Sequence, residues 1–152
     1  MEEKFVDILE KDEQIIKVMK PNKKRFWKGI LLFAAIPVFW PHLILFMVFT
    51  FFTLPFFLAK GYNNAYYAYT NKRLIARSGI FGVDYRSLEY KDITSTSVNV
   101  GFLDKKTKTG TLGFVSPSVH GGRPMYFSYV ENPYELMKEI KEYMENIKEE
   151  KK

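Results

Sequence analysis

His120 stands between Ser116 and Ser118 on one side and Gly121-Gly122 on the other, and serine beside histidine is the raw material of acyl transfer. That chemistry also needs a third group to orient the imidazole and donors for the oxyanion, and no Gly-x-Ser-x-Gly elbow occurs. The Pro, Ser and Gly around His120 read as an ordinary loop. Asp84, Glu89, Asp92 and Asp104 are spread through turns and strands without metal-ligand spacing. The chain has no cysteine, which removes thiolate catalysis, Cys-ligated metals and disulfides. Gly110-Thr111-Leu112-Gly113 offers two glycines but neither the lysine nor the following helix of a phosphate loop. These residues specify no reaction, so the expectation is a protein that is not an enzyme, with no catalytic residue, metal or cofactor.

The remaining polar resource is basic. Arg77 and Arg86 fall on expected strands, Lys105, Lys106 and Lys108 in one turn, and Arg123 in another. Arg77, Arg86, Lys105, Lys106 and Lys108 form the candidate anion- or lipid-binding set, since basic residues near an anionic leaflet gain about 1 kcal/mol each. The competing reading is a solvated surface that keeps the domain soluble. The net charge of +6 and a pI near 9.3 also raise nucleic acid as a partner. That reading is set aside, because several cations flank an apolar run and the remaining lysines alternate with glutamate along one helix.

The apolar run extends from Gly29 to Ala59, 31 residues without Lys, Arg, Asp or Glu. A charge-free stretch beyond about 18 residues reads as membrane-embedded. As one helix it would reach about 46 Å, too long for a hydrocarbon core of about 30 Å. Pro37, Trp40, Pro41 and His42 interrupt it, and proline disfavours helix at its own position and the one before. A hairpin is therefore expected, with arms at about Phe26 to Trp40 and Leu43 to Leu58, either crossing the bilayer or re-entrant. Membrane-flanking basic residues Lys23, Lys24, Arg25 and Lys28 precede it, and Lys60, Lys72 and Arg73 follow it. Positive charge at both ends places both ends in the cytoplasm. His42 is the one ionisable residue inside the run, beside the turn, where a structural or interfacial role fits it. The run begins too late and lacks the cleavage site for a secretory signal peptide.

From Asn64 onward, short aromatic and β-branched segments alternate with Gly, Asn and Pro, the pattern of an all-β domain. Strands are expected at about Ala65 to Thr70, Arg73 to Ser78, Val83 to Tyr90, Ile93 to Val100, Thr107 to Val115 and Met125 to Val130. A seventh is expected at Gln14 to Met19, ahead of the hairpin. Turns are expected between them, including Gly79 to Gly82, Gly101 to Lys106 and His120 to Pro124. Asn132-Pro133-Tyr134-Glu135 reads as a helix start, with Asn132 as cap and Glu135 reaching back to its amide. Leu136, Ile140, Tyr143 and Ile147, with Met137 and Met144, form one stripe expected to pack on the sheet.

Several of these segments resemble the bacterial and archaeal membrane-associated pleckstrin-homology-like (PH-like) domains. The residues Tyr67-Ala68-Tyr69-Thr70-Asn71-Lys72-Arg73-Leu74-Ile75-Ala76-Arg77-Ser78-Gly79-Ile80-Phe81 are similar to that family's aromatic hairpin. Leu88, Asp92 and Ile93, Gly101-Phe102-Leu103-Asp104, Gly110-Thr111-Leu112 and the Asn132-Pro133 helix follow in similar order. The resemblance implies a mainly β fold: a PH-like, seven-stranded bent sheet capped by one C-terminal helix, with a helical hairpin between its first and second strands. The organisation becomes residues 1–25 with the first strand, 26–60 as membrane hairpin, and 61–152 as the rest of the domain, ending in a helix over 132–149.

These readings converge on a membrane-anchored, non-enzymatic binding or scaffold domain. Both termini and the PH-like domain would face the cytoplasm, and the domain would recognise a protein partner or self-assemble as a homo-oligomer. The alternatives are recognition of anionic lipid headgroups by the basic loop residues, an accessory role in a transport or envelope complex, or a small membrane hydrolase using His120.

Overall fold

A computed structural model describes residues 1–34, 44–117 and 124–150, with the side chains of 29–52 and 148–150 left aside. Strand β1 spans Ile15–Met19, followed by helices α1 (Lys23–Ala34) and α2 (Ile44–Asn64). Strands β2 (Tyr66–Thr70), β3 (Arg73–Ser78) and β4 (Asp84–Glu89) complete a four-stranded antiparallel sheet in the order β1-β2-β3-β4. Strand β5 (Ser95–Asn99), helix α3 (Phe102–Thr107), strands β6 (Thr109–Val115) and β7 (Met125–Glu131), and helix α4 (Pro133–Glu150) follow. The last three strands form a second antiparallel sheet, β5-β6-β7.

The strands thus divide into two sheets where one bent sheet was expected. The break falls where the chain leaves β4 through a 3-10 turn at Tyr90–Asp92. Tyr90 and Ile93 are buried there, and the Tyr90 hydroxyl donates to the Thr70 carbonyl, so the corner is fixed by packing.

The main core lies between the sheets and α4. Tyr67, Tyr69, Leu74 and Leu88 from the first sheet meet Leu112, Phe114, Phe127 and Val130 from the second. Tyr67 stacks on Phe127 with centroids 4.8 Å apart. Leu136, Met137, Ile140 and Met144 of α4 join this core, with Tyr143 and Ile147 partly buried beside them, so the stripe packs as its spacing requires.

A second, smaller core covers the other face of the first sheet. Phe5, fully buried, packs with Tyr66, Ala68 and Ile75, flanked by Ile8, Leu9, Ile15 and Val18. This is why every residue of β2 is buried, where one open face would leave alternate residues exposed. The N-terminal segment, wound into short 3-10 turns at Glu2–Lys4 and Val6–Ile8, is a lid on the sheet.

Three local expectations are corrected. Gly101 to Lys106, read as a turn, contains α3: Asp104, third in the helix, accepts the Gly101 amide at 2.9 Å and closes its first turn. At α4 the expected side-chain cap is replaced by backbone contacts. Asn132 lies at φ 46°, gives its amide to the Lys108 carbonyl and accepts from the Leu136 amide. Helix α2 continues to Asn64, past the expected end at Leu58, because its last turn packs on the sheet rather than ending at the first charge. Among the described residues no helix is long and apolar enough to cross a membrane. Pro37, Trp40, Pro41 and His42, on which the expectation of a hairpin turn rests, lie outside the described residues, as do Ser118, His120 and Arg123.

Candidate functional site

The region where polar chemistry is concentrated is the junction at which α1 leaves and α2 re-enters the domain, between β1 and β2. Asn22 starts it. Its side-chain oxygen accepts the Arg25 amide at 3.0 Å and caps α1, while its own amide donates to the Tyr129 carbonyl at 2.8 Å. Its side-chain nitrogen donates to Glu131 at 2.6 Å.

Strand β7 is shaped to receive this segment. Between the pairs Leu112↔Phe127 and Gly110↔Val130 it carries one residue more than β6, and Tyr129 takes a positive φ of 58°. Such a bulge re-aims a side chain. Here it brings the Tyr129 ring to 4.7 Å from the Arg25 guanidinium and 6.4 Å from Phe26.

Arg25 also donates through Nε to Asp104 at 2.5 Å, the two side chains being 12% and 9% exposed. Asp104 accepts from Gly101 and Thr109 as well. Three cations in the first turn of α1 oppose its dipole. Asp104 neutralises one, and Lys23 and Lys24 stay in water.

The return is built similarly. Phe26 of α1 packs on Tyr62 of α2 at 5.3 Å, and the Lys20 ammonium lies over Tyr62 and Tyr66 at 4.5 and 4.7 Å. Arg77 donates to the carbonyl of Asn64, the last residue of α2, at 3.1 Å, and to the Tyr85 hydroxyl at 3.2 Å. A guanidinium at a helix C-terminus satisfies an orphan carbonyl and complements the dipole.

The sequence-derived basic residues therefore separate into different settings. Lys23, Lys24, Lys28 and Lys60 are exposed around the helix pair. Arg25 is spent on Asp104. Lys72 and Arg73 lie at the far end of the β2–β3 hairpin, one strand length from Asn64, where Arg73 bonds Glu13 through Nε and Nη2 and Lys72 bonds the Lys11 carbonyl. Arg77 is 7% exposed and engaged as described. Arg86 is exposed on β4, opposite Ala76. Lys105, Lys106 and Lys108 are exposed on α3 and its C-cap, and α3 packs against α1. Charge counting found these cations. It missed their partners, Glu13, Asp104 and Asn64, because a partner distant in sequence leaves no local signal.

Open hollows among the described residues include two beside α4. One of about 330 Å³ runs between β1 and α4, lined by Lys17, Met19 and Lys20 on one side and Glu131, Glu135 and Glu139 on the other. Lys17 pairs with Glu139, which also accepts from the Tyr69 hydroxyl. Lys17 foremost, then Tyr69, holds the Glu139 carboxyl below its ordinary value, while burial and that carboxylate push the Tyr69 phenol up. The other, of about 360 Å³, lies between α3 and the start of α4 and includes Lys105, Lys108, Tyr134 and Glu135. Among the described residues no group of His, Asp and Glu could hold a metal. The glycines of Gly110-Thr111-Leu112-Gly113 serve close packing: a Cβ on Gly110 would meet Pro133 at 2.8 Å.

Two antiparallel sheets closed by a C-terminal helix define a PH-like fold. A pleckstrin-homology domain from Shewanella amazonensis SB2B has a TM-score of 0.51 at 16% identity over 94% of this chain and 84% of that one. A DUF1696 family protein with a pleckstrin-homology domain from Shewanella loihica PV-4 has a TM-score of 0.50 at 15% identity, over 94% and 92%. At such identities the likeness is one of fold. The family follows from sequence: the chain belongs to the Bacterial PH domain family, whose profile matches residues 29–146. A comparison with curated proteins finds no match.

Proposed function

We propose that this chain is a membrane-anchored, non-enzymatic PH-like binding module that docks a protein partner, or a second copy of itself, in the groove between β1 and α4. The helix pair seats in the cell membrane, with both termini and the sheets on the cytoplasmic side. The charge-free run and the exposed Lys23, Lys24, Lys28 and Lys60 around it support this placement. The observation that carries the docking reading is the mixed charge of the groove. Lysines on the edge-strand side face Glu135 and Glu139 of α4, with Glu131 at the end of β7 beside them, which suits a peptide segment of both signs and opposes a purely anionic headgroup.

The test is photocrosslinking of the full chain in native membranes, with a photoreactive residue replacing Glu135. Protein adducts are expected, either heterologous or to a second copy, and Glu131→Lys together with Glu139→Lys should abolish them. Adducts confined to lipid would reject the groove as a protein site.

A second reading has its own observation: Lys105 and Lys106 lie on α3, which packs on α1, and Lys108 is its C-cap, which supports a position near the leaflet if the helix pair is embedded. In nanodiscs of mixed lipid, native mass spectrometry should then show a retained anionic lipid that is lost when all three lysines become glutamine. Equal retention would end that reading.

A further inference from the structure

The β3–β4 connection, Gly79-Ile80-Phe81-Gly82-Val83, is the most apolar exposed loop among the described residues. Ile80 is 40%, Phe81 82% and Val83 42% exposed, and none of the five residues carries charge. A soluble loop tip is ordinarily polar. This one also has a fixed place. The Asn64 side chain donates to the Gly79 carbonyl at 3.0 Å, a Cβ on Gly61 would lie 3.4 Å from Ile80, and the Phe81 ring lies 5.3 Å from Phe57 of α2. Phe57 in turn contacts Phe56, which is 67% exposed. The apolar surface of the loop and that of the helix are continuous.

The shape is held by Gly79. At φ 134° a Cβ there would lie 2.3 Å from the Gly82 carbonyl oxygen, so only glycine closes the turn. Gly79→Ala should destabilise the protein, read as a lowered denaturation midpoint in detergent.

Depth along α2 sets the level of the loop. Phe57 is three residues, about 4.5 Å, beyond exposed Lys60 toward the middle of the apolar run. With lysine at the headgroups, as the proposed membrane placement requires, Phe57 and the ring beside it lie on the hydrocarbon side. We propose that the Gly79–Val83 loop is an interfacial wedge, inserted into the cytoplasmic leaflet beside α2, with Phe81 and Ile80 among the lipid chains. It is a third point of contact for a domain otherwise carried on two helices, and its ligand is the acyl region of the bilayer. This inference rests on the membrane reading of the helix pair.

The chain has no cysteine, so single cysteines can be introduced and labelled with an environment-sensitive fluorophore. Phe81→Cys reports the loop, Phe56→Cys the helix, and Asn99→Cys, exposed on β5, the aqueous domain. Full chains are reconstituted into vesicles with and without lipids spin-labelled in the acyl chain, and unchanged melting of each variant checks the fold. The expected result is a blue shift and loss of fluorescence at positions 81 and 56, with none at 99. Quenching at 56 without quenching at 81 overturns the wedge and leaves the membrane reading standing. A blue shift at 81 without lipid quenching also overturns it, in favour of a covering protein. Quenching at neither position overturns both.

Discussion

Arg25→Ala is expected to lower stability by about 3–5 kcal/mol, because it strands the buried Asp104 carboxylate without its cation. Asp104 keeps the Gly101 amide and the Thr109 hydroxyl, yet both are neutral donors. Asp104→Ala should cost a similar amount, since it uncaps α3 as well. The two effects should not add, the double variant costing well below the sum, because both remove one interaction. Denaturant titration of the four proteins in detergent gives the coupling directly. Additive losses would mean that the pair seen in the fold contributes nothing between its partners. The pair joins the first turn of α1 to α3, so its loss frees one leg of the helix pair.

The second large effect is at Glu13. Its carboxylate, with no exposed side-chain surface, accepts from Arg73 at 3.0 and 2.9 Å, from the Thr70 hydroxyl at 2.8 Å and from the Glu10 amide at 2.8 Å. Glu13→Ala should cost about 3 kcal/mol, the lower part of the range for a broken buried pair, because Glu10 still reaches Arg73 at 3.3 Å. The same site makes the fold acid-sensitive. Burial alone would raise the Glu13 pKa, but Arg73, the Glu10 amide and Thr70 together bring it below its ordinary 4.5. The unfolded chain then binds the proton more readily than the folded one. The stabilisation is therefore complete above about pH 4.5 and disappears as pH falls through the folded value. Glu139, also lowered, acts in the same direction. In Glu13→Gln the loss of stability between neutral pH and about pH 3 should be smaller than in the parent. An identical pH profile would place the acid sensitivity elsewhere.

The strands were legible because their signals are local. Aromatic and β-branched runs punctuated by Asn-Lys, Gly and Pro fixed seven segments to within a few residues. The stripe from Leu136 to Ile147 likewise announced a helix packed on a sheet. Other features depended on distant neighbours. Gly101-Phe102-Leu103-Asp104 looks like a turn until Asp104 is seen to meet Arg25. Phe5, Ile8 and Leu9 are a short apolar cluster whose role as a lid appears only once the second face of the sheet is known. Among the basic candidates, residue type revealed charge but not engagement. Arg77 resembles a free anion ligand in sequence, whereas in the fold its Nε donates to Tyr85 and its Nη1 to Asn64.

The placement of the helix pair has a consequence for how the chain assembles. Strands β2, β3 and β4 follow one another through short turns and can zip together locally, but β1 must find β2 across residues 20–65. Closing so long a flexible segment would cost roughly 3 kcal/mol of chain entropy. Once α1 and α2 have formed and Phe26 meets Tyr62, the ends of that segment are already neighbours, and most of the search is over. The helices then act as a jig for the sheet: β1 is the strand whose pairing waits on them, and the lid formed by residues 1–14 waits on β1. The expected order of formation therefore puts β1 and its lid after the helix pair, although they come first in the sequence.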